Sequence, residues 1–259
     1  MSASESQQRR WQDALLIAKI LTIDPGGLGG VWLKSSVGPV RDYWLDYFKR
    51  VVDTQIPVIK IPHHADETAL LGGLDLLQTL QLQHKVYTQG LLSQAASGVV
   101  ILSMAERLQV HTAACITQAF DATHQFGLIA LDESMGSEEE QLLPRIQERL
   151  AFKIEFDDLS YRDCEAEYQP HAIEKFRERL AQIEVPDVAI EAITTAAQGL
   201  GIDSLRAIYF AIRASKVIAA LRGGDQLTQE DIQTATRLVF AHRITALPQQ
   251  TPANEQSSD

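Results

Sequence analysis

Strand-like runs are confined to the first 156 residues of this chain, and helical periods alone follow. The runs are Gly30-Val-Trp-Leu-Lys34, Ile56-Pro-Val-Ile-Lys-Ile61, Val99 to Leu102, Gly127 to Leu131 and Ala151 to Phe156. Each is too short to bury a helix and is bounded by turn residues, as a buried or half-buried strand is. Helical stretches separate them. Residues 12–23 read as an amphipathic helix stopped by Pro25 and the glycines of Gly26-Gly27-Leu28-Gly29-Gly30. A loop over 35–39 leads to a helix over 40–52. Strand alternating with helix predicts an α/β layered domain with a mainly parallel sheet. From Pro170 onward only helices are expected, over 171–183, 186–199, 204–221 and 228–242. Thr228-Gln-Glu-Asp231 resembles a capping box with Asp in place of Glu or Gln, and Gly223-Gly224 closes the helix before it. The expected division is an α/β domain over 1–160, a small helical domain over 161–245 and a disordered tail or linker start over 246–259. That tail, from Pro248 on, is rich in Gln, Pro, Ser and acids and has almost no apolar residue.

The formal net charge is −11, which argues against a nucleic-acid-binding surface and suits a basic protein partner. No apolar run approaches the roughly 20 residues of a membrane span. Met1 to Arg10 is polar and shows no leader pattern. Cys115 and Cys164 lie in unrelated segments without metal-ligand spacing. A reduced cytoplasmic setting, with no metal, is the expectation.

The strand, loop and helix over 30–52 stand where a phosphate-binding loop would lie. A working loop reads G-x-x-x-x-G-K-[ST]: its amides cradle phosphate, its lysine reaches the β/γ-phosphates and its hydroxyl binds Mg²⁺. Here the segment is Ser35-Ser-Val-Gly-Pro-Val-Arg-Asp42. Gly38 alone keeps a glycine. Arg41 replaces the lysine, Asp42 the hydroxyl residue, and Pro39 removes a backbone donor. A strand further on should end in an acidic pair that holds Mg²⁺ and polarises water. Ser103 and Met104 occupy those positions, and Glu106, two residues on, is expected to point elsewhere.

Four segments carry a resemblance: Gly26 to Leu45, Ile61-Pro-His-His-Ala-Asp-Glu-Thr-Ala-Leu-Leu-Gly-Gly-Leu-Asp-Leu76, Gly90 to Leu108, and Ser204 to Leu221. Together they resemble the magnesium chelatase D subunits of bacteriochlorophyll-producing bacteria, over roughly residues 11–245. The resemblance implies an AAA+ P-loop-type domain followed by a helical lid, with an insertion opening near Ile61. It also implies a proline-rich linker and an integrin-type domain beyond the AAA+ part, of which residues 1–259 contain no segment. The implied activity belongs to a complex. Magnesium chelatase uses ATP to insert Mg²⁺ into protoporphyrin IX. Its D subunit assembles with the ATP-hydrolysing I subunit, and this platform engages the porphyrin-binding H subunit. ATP and Mg²⁺ are therefore expected for the complex, and no cofactor for this chain.

By the same resemblance, Arg149 stands where AAA+ proteins present an arginine finger to a neighbour's γ-phosphate, with Arg145 as a nearby alternative. Read without it, Arg149 is a surface arginine pairing with Glu148 or Glu155. Arg206 matches the sensor-2 arginine and joins Gly38, Arg41, Asp42, Ser103 and Met104 as positions of a degenerate nucleotide site. His63-His64 looks like a metal pair, but adjacent residues share no helix face and no third ligand is evident. Asp75 is expected to cap a helix. Glu138-Glu139-Glu140 reads as a solvated helix start. The leading expectation is a non-hydrolysing assembly subunit. An active MoxR-like AAA+ ATPase and an inert scaffold are the alternatives.

Overall fold

A computed structural model describes residues 3–123, 126–134, 141–166 and 173–245. Helix α1 (Ala3–Ile23) starts well before residue 12. Its first turns are good helix formers but polar, so they show no apolar period. Burial begins at Trp11, whose indole Nε1 donates to the Glu165 carbonyl at 2.7 Å. At the other end Asp24 accepts the Gly27 amide at 3.1 Å and caps the short α2 (Pro25–Leu28). Gly29 follows with φ of +73°, and a Cβ there would lie 1.8 Å from the Arg149 carbonyl oxygen. The glycine cluster is thus a close approach of backbones as well as a helix stop.

Next come β1 (Gly30–Lys34), α3 (Pro39–Val51) and β2 (Val58–Pro62). Strand β2 begins at Val58 rather than Ile56, because Pro57 has no N–H for the ladder. An insertion follows, with α4 (Glu67–Leu71), β3 (Gly72–Leu74), α5 (Leu76–Leu82), β4 (Tyr87–Gln89) and α6 (Leu91–Gln94). Strands β3 and β4 pair antiparallel, apart from the main sheet. Asp75 does cap α5, accepting the Gln78 amide at 2.9 Å. The chain then runs through β5 (Val99–Ser103), α7 (Val110–Thr123), β6 (Gly127–Asp132), α8 (Pro144–Gln147) and β7 (Phe152–Glu155).

The main sheet has five strands in the order β2-β5-β6-β1-β7, every pair parallel. Gly30 pairs with Leu128 and Lys34 with Asp132. All six residues of β6 are buried, as expected of a strand covered on both faces. One face packs on α1, α3 and the helical part, around Trp11, Trp44, Phe48 and Phe210. The other carries Ile61, Leu70, Ile116, Phe120 and Phe126. Because the strands are parallel, the sheet has a carboxyl edge and an amino edge. β6 spans roughly 16 Å between them, at about 3.3 Å per residue.

Helices α9 (Ile173–Gln182), α10 (Asp187–Gly199), α11 (Leu205–Arg222) and α12 (Gln229–Phe240) form the lid, and no strand occurs among the described residues 173–245. The capping box forms: the Thr228 amide donates to Asp231 Oδ2 at 2.8 Å and the Asp231 amide to Thr228 Oγ1 at 3.3 Å. Gly223, with φ of +85°, ends α11. Guanidinium groups tie the lid down. Arg237 forks onto Asp13, and Arg213 onto Asp24. Arg177 donates to the Ile23 and Thr22 carbonyls at 2.9 and 3.2 Å. Arg243 reaches the Leu150 and Ala151 carbonyls at the start of β7.

Candidate functional site

At the carboxyl edge, the loop after β1 is pinned by the Ser35 amide donating to the Asp132 carbonyl at 2.9 Å. Gly38 is the N-cap of α3 in extended backbone, with no side-chain cap, and Pro39 occupies the first helical position. A helix N-terminus offers its first amides to an anion. Here one of them is missing. Asp42 lies exposed in the first turn, where its charge favours the helix and repels phosphate. Arg41 turns inward and is buried. Its Nη1 donates to Glu133 Oε1 at 2.7 Å, and its Nε lies 3.6 Å from Asp42 Oδ1 without a hydrogen bond.

Strand β5 ends at Ser103, whose hydroxyl is buried without a partner. Met104 takes a left-handed conformation, with φ of +50°, and starts the 3-10 turn Ala105–Arg107. That turn folds Glu106 back toward the end of β6, so the expectation that it points elsewhere is corrected. The Glu106 carboxylate is buried and accepts the Glu133 amide at 3.1 Å. Burial pushes its carboxyl above the usual range, and the nearby Asp132 and Glu133 charges add to this, against the opposing backbone hydrogen bonds. Asp132 accepts Trp32 Nε1 at 2.7 Å, the Ser134 amide at 2.9 Å and the Ser134 hydroxyl at 2.5 Å. Trp32, Asp132, Glu133 and Ser134 were absent from the sequence reading of this edge. The signal existed: Asp132-Glu133 is an acidic pair ending an apolar strand, on β6 instead of β5.

The edge is therefore an acidic network: Glu133 holds the Arg41 guanidinium with Asp42 close by, and Glu106 and Asp132 are tied to the backbone and side chains at the end of β6. It does not fit Mg-ATP. Arg41 and Asp42 stand at the lysine and hydroxyl positions, the cradle lacks an amide, and the arginine already holds a carboxylate.

Arg206 does not belong to this group, which corrects its placement with Gly38, Arg41, Asp42, Ser103 and Met104. It lies at the amino edge, with Nη2 3.7 Å from Asp121 Oδ1. Arg149 is there too. Its Nε donates to Asp121 Oδ1 at 2.9 Å, its Nη2 to Asp121 Oδ2, and its Nη1 to the Arg145 carbonyl at 2.7 Å. The partner of Arg149 is thus Asp121, near the end of α7, rather than Glu148 or Glu155; Glu155 pairs with Lys153 at 2.5 Å. Arg145 is exposed on α8. Sequence reasoning could not join Asp121 to either arginine, because the pairing needs α7 to return to the amino edge before β6. A cavity of about 770 Å³ adjoins this cluster, lined in part by Asp24, Arg177, Arg206, Arg213 and Lys216. Arg206 Nη1 is buried there with no hydrogen-bond partner. Elsewhere, His63 and His64 meet edge to face, 5.1 Å between ring centroids. Glu138-Glu139-Glu140 lies outside the described residues.

An AAA lid domain model matches residues 190–259. The magnesium-chelatase 60 kDa subunit of Cereibacter sphaeroides is 36% identical over 244 residues, covering 93% of this chain and 42% of that protein. Its Rhodobacter capsulatus counterpart is 34% identical over 235 residues, covering 90% and 41%. The 38 kDa subunit of the same organism is 23% identical over 231 residues, covering 75% and 65%. The chain thus spans about two fifths of the length of the 60 kDa relatives it matches. A crystal structure of a protein described as an ATPase, from Cytophaga hutchinsonii, superposes with a TM-score of 0.63 at 14% identity, covering 91% of this chain and 87% of that one. That likeness bears on the fold alone. Sheet, lid and similarity along nine tenths of the sequence converge on one assignment: the chain belongs to the magnesium-chelatase 60 kDa (D) subunit family and has its AAA+ fold, an α/β domain with a helical lid.

Proposed function

We propose that this chain is a non-hydrolysing AAA+ subunit of magnesium chelatase. It assembles in the cytoplasm beside an ATP-hydrolysing I subunit, and the assembly supports ATP-driven insertion of Mg²⁺ into protoporphyrin IX held by an H subunit. The observation that carries this reading is the Arg41–Glu133 contact at 2.7 Å. The cation that should greet a triphosphate is neutralised from within by Glu133, with the Asp42 carboxylate 3.6 Å away, so the chain's own pocket is not where it acts.

Its contribution lies at the amino edge. Arg149 and Arg206 are held side by side by Asp121. A phosphate offered by a neighbouring subunit carries more charge than that single carboxylate and accepts the same two-armed geometry. Arg149 then stabilises charge developing on the neighbour's γ-phosphate, and Arg206 supports it from the lid. The alternative of an active MoxR-like ATPase needs a lysine, a hydroxyl and an acidic pair at Arg41, Asp42 and Ser103-Met104, and has none of them. The test mixes the chain with an I subunit, with and without Mg-ATP, and follows co-purification and phosphate release. The expected result is ATP-dependent association, with no turnover by the chain alone. Turnover of about 1 per second by the isolated chain, an ordinary enzymatic rate, would overturn the reading.

A further inference from the structure

We propose that Glu67, His111 and Cys115 form a binding site for a borderline-soft divalent cation, with Zn²⁺ as its natural occupant. Their ligand atoms lie within 4.8 Å of one another. His111 Nε2 is 3.1 Å from Glu67 Oε2, and Cys115 Sγ is 3.9 Å from His111 Nε2. Tetrahedral zinc has bonds of about 2.0 Å to nitrogen and oxygen and about 2.3 Å to sulfur. The edges of such a tetrahedron are therefore about 3.3 Å for nitrogen to oxygen and about 3.6 Å for nitrogen to sulfur. The two distances found differ from these by only a few tenths of an ångström, and the Glu67 and Cys115 ligand atoms lie within 4.8 Å of each other, so side-chain rotations close the site.

The local structure holds the ligands in place. His111 and Cys115 are four residues apart on α7 and share one face of it. Glu67 opens α4, which is fixed at its start by Asp66 accepting the Ala69 amide at 2.7 Å and near its end by the fully buried Leu70. Cys115 lies on the core side, while the His111 and Glu67 side chains are 70% and 58% exposed. A cation would thus have three protein ligands and a fourth position open to water. Binding releases the thiol proton: the sulfur–hydrogen bond is exchanged for a sulfur–metal bond, and the proton leaves to solvent. The donor set selects against Mg²⁺, which prefers six oxygen ligands, and for zinc-like ions, which accept thiolate and imidazole. The site is distinct from both sheet-edge clusters and does not depend on the proposed function. A bound ion would staple α4, at the base of the insertion, to α7 of the central domain.

The test titrates the purified, metal-free chain with Zn²⁺ against a chromophoric chelator, and with Co²⁺ to record the thiolate-to-cobalt charge-transfer band. One equivalent should bind, and the cobalt band should appear. Cys115→Ser and His111→Gln should each weaken Zn²⁺ binding tenfold or more, Glu67→Gln by less, and Cys115→Ser should abolish the cobalt band. Cys164→Ser and the double variant His63→Gln/His64→Gln should bind as the parent does. Thermal melts without metal establish that the variants fold, and Cys115→Ala provides a second small replacement should serine disturb the core. Absence of binding in the parent, unchanged affinity in a folded Cys115 or His111 variant, or loss of binding in the His63/His64 variant would each overturn the proposal.

Discussion

Arg149→Ala separates a structural arginine from one that acts on a neighbour, because the two roles differ in size. In the isolated chain Arg149 makes a two-armed pair with Asp121, and the two side chains are 18% and 40% exposed. A pair open to solvent to this degree contributes about 1 kcal/mol or less. Arg206 remains 3.7 Å from Asp121 and keeps that carboxylate paired. The variant should therefore fold and lose only about 2–4 °C in Tm, the shift produced by about 1 kcal/mol in a chain of this size. A finger acting in trans is worth about 10³-fold or more in rate, which is about 4 kcal/mol at 1.36 kcal/mol per tenfold. The assay mixes the variant with an I subunit and measures phosphate release and complex formation, with the Tm of the variant recorded alone. A large fall in the partner's turnover, or loss of the ATP dependence of assembly, is expected beside the small change in Tm. Arg149→Lys should recover little, since an ammonium keeps the charge without the planar fork. If both variants sustain parental turnover and assembly, Arg149 is a structural residue and the inert-scaffold reading takes its place.

Two further predictions concern stability. Burial, reinforced by the charges of Arg243 and Lys153, pulls the His242 pKa down to about 3. Its neutral ring favours the fold at and above the ordinary value near 6.5. Below that value the unfolded chain takes up a proton that the folded one refuses, so stability falls by about 1.4 kcal/mol per pH unit and by about 2 kcal/mol at pH 5. His242→Gln should flatten this loss in urea unfolding compared near neutrality and at about pH 5; an unaltered pH dependence would count against it. Gly29→Ala should cost on the order of 3 kcal/mol, given a φ of +73° and a Cβ 1.8 Å from the Arg149 carbonyl oxygen. Gly38→Ala should change stability by about 0.5 kcal/mol or less, because a Cβ there meets only the Ser36 carbonyl oxygen, at 4.0 Å, in extended backbone. Equal effects at the two glycines would refute this account of the glycine cluster.

The parts of the fold legible in the sequence were those with a single period and a clear stop. The run Val99 to Leu102 became β5, Gly127 to Leu131 became most of β6, and the lid helices appeared within a residue or two of their expected bounds, outside the residues not described. The insertion was harder. Strands β3 and β4 are three residues each, and α5 is leucine-rich yet buries none of its residues. Hydrophobic pattern therefore says little about their type. The polar start of α1 was missed for the complementary reason: helix propensity without an apolar stripe leaves no period to read.

At the site, the replaced loop positions Arg41, Asp42, Ser103 and Met104 were visible as departures from a motif. What could not be read was who answers them. Glu133 is 92 positions from Arg41, and Asp121 is 28 from Arg149. Sheet order, rather than spacing, brings each pair together. Glu106 shows the same limit at short range. A left-handed Met104 reverses its direction, and that conformation is uncommon for a residue other than glycine.

Asp121 has a consequence of its own. One guanidinium reaches it from the α8–β7 connection and the other from the first turn of a lid helix. The carboxylate is a shared contact of the sheet domain and the lid. If Arg149 is drawn outward, Asp121 keeps Arg206 as a partner. If the lid tilts and removes Arg206, Arg149 keeps its two-armed contact with the carboxylate. Asp121 thus joins Arg177, Arg213, Arg237 and Arg243 in tying the lid to the sheet domain, and it holds Arg149 with the same two oxygen atoms.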